Sequence, residues 1–158
     1  NAPQRDAINR LVNEAQTREK VAEQLQSAQA LNDAMKHLRN SIQNQSSVRQ
    51  ESKYINASDA KKEQYNHAVR EVENIINEQH PTLDKEIIKQ LTDAVNQANN
   101  DLNGVELLDA DKQNAHQSIP TLMHLNQAQQ NALNEKINNQ TFGKKIKHLF
   151  VNAHASPL

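Results

Sequence analysis

From Thr17 to about Gln45 the chain contains neither glycine nor proline, and Val21, Leu25, Ala28, Leu31, Met35, Leu38 and Ile42 recur at steps of three and four. Side chains spaced this way lie above one another on an α-helix, so they form one apolar stripe. Thr17 has the side chain of an N-cap. The stretch therefore predicts one continuous helix, on the order of 40 Å long at ~1.5 Å per residue. A small three-helix bundle needs less length than that. Nothing near Ser27 stops the helix, so it reads as one element shared between two neighbouring bundles.

Further stripes follow. "QNQSSVRQESKYINAS" loses the period and reads as a loop, with Tyr54 and Ile55 expected to fold back and close the end of the first bundle. Ser58 is placed to cap a helix carrying Tyr65, Ala68/Val69, Val72 and Ile75/Ile76, which Pro81 ends. Asp84 caps the next, with Leu83 and Ile88 spaced as a hydrophobic staple and Ile87, Leu91, Ala94/Val95, Ala98 and Leu102 as the stripe. Gly104 stands where a C-terminal glycine belongs. Asp109 reads as the cap of a short helix with Ala115 and Ile119, closed by Pro120. Asn126 and Gln129 have capping-box spacing ahead of Ala132, Leu133 and Ile137. A last helix would carry Ile146, Leu149 and Phe150, with Pro157 at a frayed end.

"AINRLVNEAQT" (7–17) and "NALNEKINNQT" (131–141) coincide when Ala15 is skipped. A repeat of about 125 residues, holding two unlike three-helix units, accounts for the match. The expected organisation is residues 1–29 as the end of a preceding unit running into the shared helix, 30–104 as one three-helix unit, and 105–158 as another. The fold class is all-α: bundles stacked end to end and rod-like. A radius of gyration well above the roughly 15 Å of a compact chain this long is the expected scattering result.

Composition agrees with thin seams rather than one thick core. Apolar residues make up 35% and aromatic residues 3%, while Asn and Gln together form roughly a quarter of the chain. The net charge of −1 argues against a nucleic-acid or anionic-membrane partner, which would need a basic face. No apolar run reaches the ~18 residues of a membrane span, and no signal-peptide pattern is present. Starting at "NAPQ", the chain reads as an excised piece whose targeting and anchoring signals lie outside it.

Few residues invite chemistry. Glu63, His67 and Glu71 lie four apart on one helix face and have the donor types of a metal site, but that face is the polar one opposite Tyr65, Val69 and Val72. Gly-rich phosphate loops, nucleophile elbows and Cys/His clusters are absent from the sequence, so neither an enzyme nor a cofactor is expected. Catalytic, cofactor-binding and metal residues are therefore none, and ligand-binding residues stay unassigned. Asn44, Asn56 and Asn139 match the glycosylation acceptor pattern, which an Asn-rich chain produces by chance.

The segments "LNDAMKHLRNSI", "YINASDAKKEQYNHAV", "VNQANNDLNG" and "NAHQSIPTLMHLNQAQQNALNEKI" resemble one repeat of the Ebh family, giant staphylococcal cell-wall proteins called extracellular matrix-binding protein homologues. The first unit resembles a FIVAR module. The second resembles a GA module, the three-helix unit that binds albumin in some streptococcal surface proteins. The resemblance reaches to about Thr141, and the tail "FGKKIKHLFVNAHASPL" departs from it. It implies a secreted, wall-attached surface protein of many repeats, with neighbouring repeats of the same chain and a matrix protein such as fibronectin as partners. Albumin-binding GA modules carry aromatic residues at the start of the middle helix, where this chain has Ala128 and Gln129. The expected function is an elongated helical spacer, monomeric as a fragment; the alternative is a weak, multivalent matrix-binding module.

Overall fold

The glycine-free stretch folds as a single helix. The structure is a computed structural model that describes the backbone of residues 1–155 and the side chains of residues 1–150. The chain end expected at Pro157 lies outside the described residues. Among those, the elements are α1 (Ala2–Glu14), α2 (Arg18–Ile42), α3 (Gln45–Val48), α4 (Ser52–Ile55), α5 (Asp59–Asn77), α6 (Lys85–Asn100), α7 (Gly104–Ser118), a 3-10 turn (Ile119–Thr121), α8 (Gln127–Asn139) and α9 (Gly143–Ala155), with no strand. They form two compact units: Asn1–Ser46 with Glu63–Asp101, and Ser47–Lys62 with the segment from Leu102 on.

In the first unit α2 packs against α1 and α6. The Thr17 hydroxyl caps it as expected, accepting the Lys20 N–H at 3.1 Å. The core is Leu31, Met35 and Leu38 of α2, Tyr65, Ala68, Val69 and Val72 of α5, and Ile88, Thr92, Val95 and Ala98 of α6. The α6 stripe departs from the expected one only in its first two turns, where Ile88 and Thr92 are buried and Ile87 is exposed; Val95 and Ala98 are buried as expected. Thr92 can lie inside because its hydroxyl donates to the Ile88 carbonyl at 3.2 Å, which satisfies the polar atom. Asp84 caps α6 through the Glu86 N–H, at 2.9 Å. Leu83 stays exposed, so the cap rather than the staple sets the helix start. The turn before it is held by Glu78, whose carboxylate accepts the Thr82 N–H at 2.6 Å and its hydroxyl at 2.9 Å.

The second unit corrects four expectations. The supposed loop contains α3 and α4, each of four residues, and Val48 is fully buried. A single helical turn carries no stripe, so periodicity cannot reveal it. Tyr54 and Ile55 belong to α4, which packs on α7 in this unit rather than closing the first. Asp109 lies inside α7, which starts five residues earlier behind Asn103. Gly104 is the first residue of α7, not the glycine ending α6, and among the described residues none has a positive φ. The remaining core is Leu108, Ala115, Ile119, Ile137 and Ile146, with Leu122, Leu133, Leu149 and Phe150 packed against it. The divergent tail thus packs as a third helix through Ile146.

The internal repeat is visible in the geometry. Asn1 and Asn126, 125 positions apart, both cap 13-residue helices with a full capping box. Gln4 N–H donates to Asn1 Oδ1 at 2.9 Å, and Gln129 N–H to Asn126 Oδ1 at 2.8 Å. The return bonds, to Gln4 Oε1 and Gln129 Oε1, are 2.7 and 2.9 Å. Ala15 and Gln140 end the two helices in the same extended conformation, each donating to the carbonyl three residues back at 3.2 Å. The two therefore correspond, and no residue is skipped: Thr17 matches Phe142 and Arg18 matches Gly143. The Gln-Thr coincidence that suggested skipping Ala15 is outweighed by equal helix lengths.

Candidate functional site

The residues with metal-ligand types do not form a site. His67 Nε2 lies 4.0 Å from Glu71, and Glu63 is held by Arg70 at 2.6 Å, all on an exposed face of α5. No group of three or more potential ligands comes together among the described residues. The glycosylation-pattern asparagines differ in place. Asn44 is exposed in the turn after α2, and Asn139 is the last residue of α8.

Asn56 is structural. Its amide nitrogen donates to Ser52 Oγ at 3.0 Å and to the Thr141 carbonyl at 2.9 Å, and its amide oxygen accepts the Gly143 N–H at 2.7 Å. One side chain thus ties α4 to the α8–α9 turn and caps α9. Nearby, Asn103 Oδ1 accepts the Ser58 N–H at 3.0 Å, while Ser58 caps α5 as expected. The sequence hides this junction, since its partners lie 85 and 87 residues away. Asn56→Ala should cost about 1–3 kcal/mol in urea denaturation, because the Gly143 N–H and Thr141 carbonyl lose their partner. A loss below about 0.5 kcal/mol, the ordinary scatter of surface substitutions, would show that water replaces the amide.

Two further faces have the build of a contact surface. In the first unit α2 and α6 flank an open groove of about 610 Å³, lined by Ala30, Ala34, His37 and Ser41 on one side and Lys89 and Asp93 on the other. Small residues on α2 make the space, and charges of both signs line it, so no ligand class is singled out. In the second unit His116 bridges α7 to α8, its ring nitrogens each 2.7 Å from the Asn134 and Asn138 amide oxygens. Lys112 adds a bond to the Asn138 carbonyl at 3.0 Å. At the start of α8, Ala128 is exposed and Gln129 is committed to the capping box. That position therefore offers no aromatic anchor of the kind that dominates hot spots.

Comparison with known families finds two kinds of module in the chain. The FIVAR domain family matches residues 34–103, and the GA module family matches residues 1–34 and 105–155. The two families meet within α2. Among curated proteins, the extracellular matrix-binding protein ebh of Staphylococcus aureus strain MW2 is 43% identical over 98% of the chain. EbhA of strain Mu3 is 42% identical over the same share. The chain spans about 2% of the length of either relative. Among solved structures, the 756–1003 domain of S. aureus EbhA superposes over 98% of this chain and 63% of its own, with a TM-score of 0.91 and 26% identity. A structure from work on Embp-mediated Staphylococcus epidermidis adherence to fibronectin covers 65% of this chain and 82% of its own, with a TM-score of 0.63 and 35% identity.

Proposed function

The chain belongs to the GA-module family, with a FIVAR domain between its two GA segments in the manner of an Ebh repeat, and on that premise we propose that it is a spacer repeat of a secreted, wall-attached surface protein. The observation that carries this reading is α2, which ends one module and begins the next without a break. A continuous helix transmits position between modules where a flexible linker would not. No catalytic role and no cofactor are proposed. Neighbouring repeats are the standing partners.

The second reading, weak matrix attachment by each repeat, is favoured by the likeness to the Embp structure and its connection with adherence to fibronectin. The faces described here are polar and poor in aromatics, so little binding free energy is concentrated in one place. A hydrogen bond from Asn or Gln adds only about 0.5–1.5 kcal/mol net, against an association cost of at least ~4 kcal/mol. Affinity per repeat should therefore be high-micromolar to millimolar, on the order of 4–6 kcal/mol of binding free energy, and rise steeply in arrays. The test is calorimetry of this chain and of a tandem array against fibronectin and albumin. A sub-micromolar dissociation constant for the single repeat would overturn the weak-site reading. Failure of the array to bind either protein would leave the spacer role alone.

A further inference from the structure

The net charge of −1 is an average over two unlike units. The first holds nine Lys and Arg against thirteen Asp and Glu, the second nine against six. Within the second, α9 stands apart: among the described elements it is the one helix longer than a single turn that contains no Asp or Glu. Lys144, Lys145, Lys147 and His148 are exposed, while Ile146 between them is buried. At about 100° per residue these four cover an arc of roughly 160°, opposite Ile146. Among the described residues no carboxylate pairs with any of the three lysines. Asp111 of α7 lines a groove with Lys147 without pairing to it. The fold does not require these charges. Shifted back by the 125 positions that separate the two capping boxes, the four residues become Glu19, Lys20, Ala22 and Glu23 at the start of α2. There Lys20 pairs with Glu23 at 3.2 Å. The same helical turn thus carries a mixed, net acidic face in one module and three unpaired cations in the other, so packing alone does not account for the lysines.

We infer that the outer face of α9 is a contact surface for a linear phosphodiester polymer, held by its backbone charge. Three ammonium groups on one turn, with no carboxylate to offset them, attract an anion that carries several charges in a row. Lysine binds phosphate as a point charge, without the fixed fork by which arginine selects a geometry. The partner is therefore recognised by charge density rather than by shape. A bilayer is a poorer fit, because Leu149 and Phe150 pack on the core and leave this face nothing to insert. Reading of bases is a poorer fit too. The ring beside the lysines, Phe142, already holds the Lys145 ammonium at 4.9 Å from its centroid, where a base would have to stack. This inference rests on the charge of α9, and on neither the spacer reading nor matrix binding.

The experiment titrates the chain with an abasic deoxyribose oligomer of about 20 phosphates, a phosphodiester strand without bases, and follows amide shifts by NMR. Shifts should concentrate in α9. The association constant should fall roughly 20-fold between about 50 and about 200 mM salt, as three phosphate contacts on a flexible strand require. Lys144→Glu with Lys147→Ala and His148→Glu gives α9 the residues of the matching turn of α2, and should weaken binding at least about tenfold at the lower salt. Lys144→Gln with Lys147→Gln, which removes charge without adding any, should weaken it by a smaller factor. Urea midpoints equal to the parent's certify that both variants fold. Lys85→Gln with Lys89→Gln, on α6 of the acidic unit, should leave binding unchanged. No binding at the lower salt would overturn the proposal, as would undiminished binding by both folded α9 variants or an equal loss in the α6 variant. So would displacement by inorganic phosphate at equal total phosphate, which would mean a single-anion contact. Binding of a thymidine oligomer of the same length at least about tenfold tighter would overturn it as well, because bases would then be read.

Discussion

Tyr65→Ala is expected to destabilise the first unit by about 3–5 kcal/mol, the usual cost of truncating a buried aromatic side chain to alanine. Among the described residues Tyr65 is the largest fully buried side chain, in a chain whose aromatic content is 3%. The rest of that core is Leu, Ile, Val, Met, Ala and one Thr, and a thin seam of such residues cannot rearrange to refill the ring's volume. Against a typical total stability of about 5–15 kcal/mol, the loss is about a fifth or more of what holds the unit together. Tyr65→Phe keeps the ring and should cost no more than about 1.5 kcal/mol, the net worth of one hydrogen bond. Urea denaturation of the two variants checks this. Equal losses would mean that the hydroxyl, rather than ring volume, is what the site requires.

Helix caps and stripes were legible because both are local. Thr17, Ser58, Asp84 and the Asn126–Gln129 pair each act within three residues along the chain, so the sequence contains both partners of the interaction. The stripes named the core of α2 and α5 for the same reason. On α6 two adjacent isoleucines were available, 100° apart around the helix, and only the packing against α2 decides between Ile87 and Ile88. Thr92 then looks wrong for a core until its hydroxyl bond to Ile88 is seen. Val21 and Leu25 show the opposite failure: the stripe is there, but a stripe does not say what lies across from it. The junction around Asn56 was illegible because its partners are distant in sequence and α4, on one side of it, is a single turn. No ligand-binding residue was assigned from the sequence, and among the described residues no buried charge marks a site.

Gly104→Ala is expected to cost the second unit about 2 kcal/mol or more, despite the ~1 kcal/mol that alanine gains over glycine in helix propensity. Gly104 is buried, and a Cβ there would collide with the Ser52 carbonyl oxygen and come within 2.6 Å of the Lys53 carbonyl oxygen. Both obstacles are backbone atoms of α4, which cannot rotate away, so α4 and α7 would have to separate. Gly143 is the control. It too is the first residue of its helix, but its Cβ would meet the Asp111 carboxylate at 2.6 Å, the end of an exposed side chain that can turn aside. Gly143→Ala should therefore change stability by less than about 1 kcal/mol, with propensity and crowding nearly cancelling. If Gly104 served only as a conformationally free residue after α6, the two substitutions would act alike, since neither glycine has a positive φ. Paired denaturation curves distinguish the cases. A large gap between Gly104→Ala and Gly143→Ala locates the constraint in the close approach of two backbones, and equal small effects would show that α4 yields.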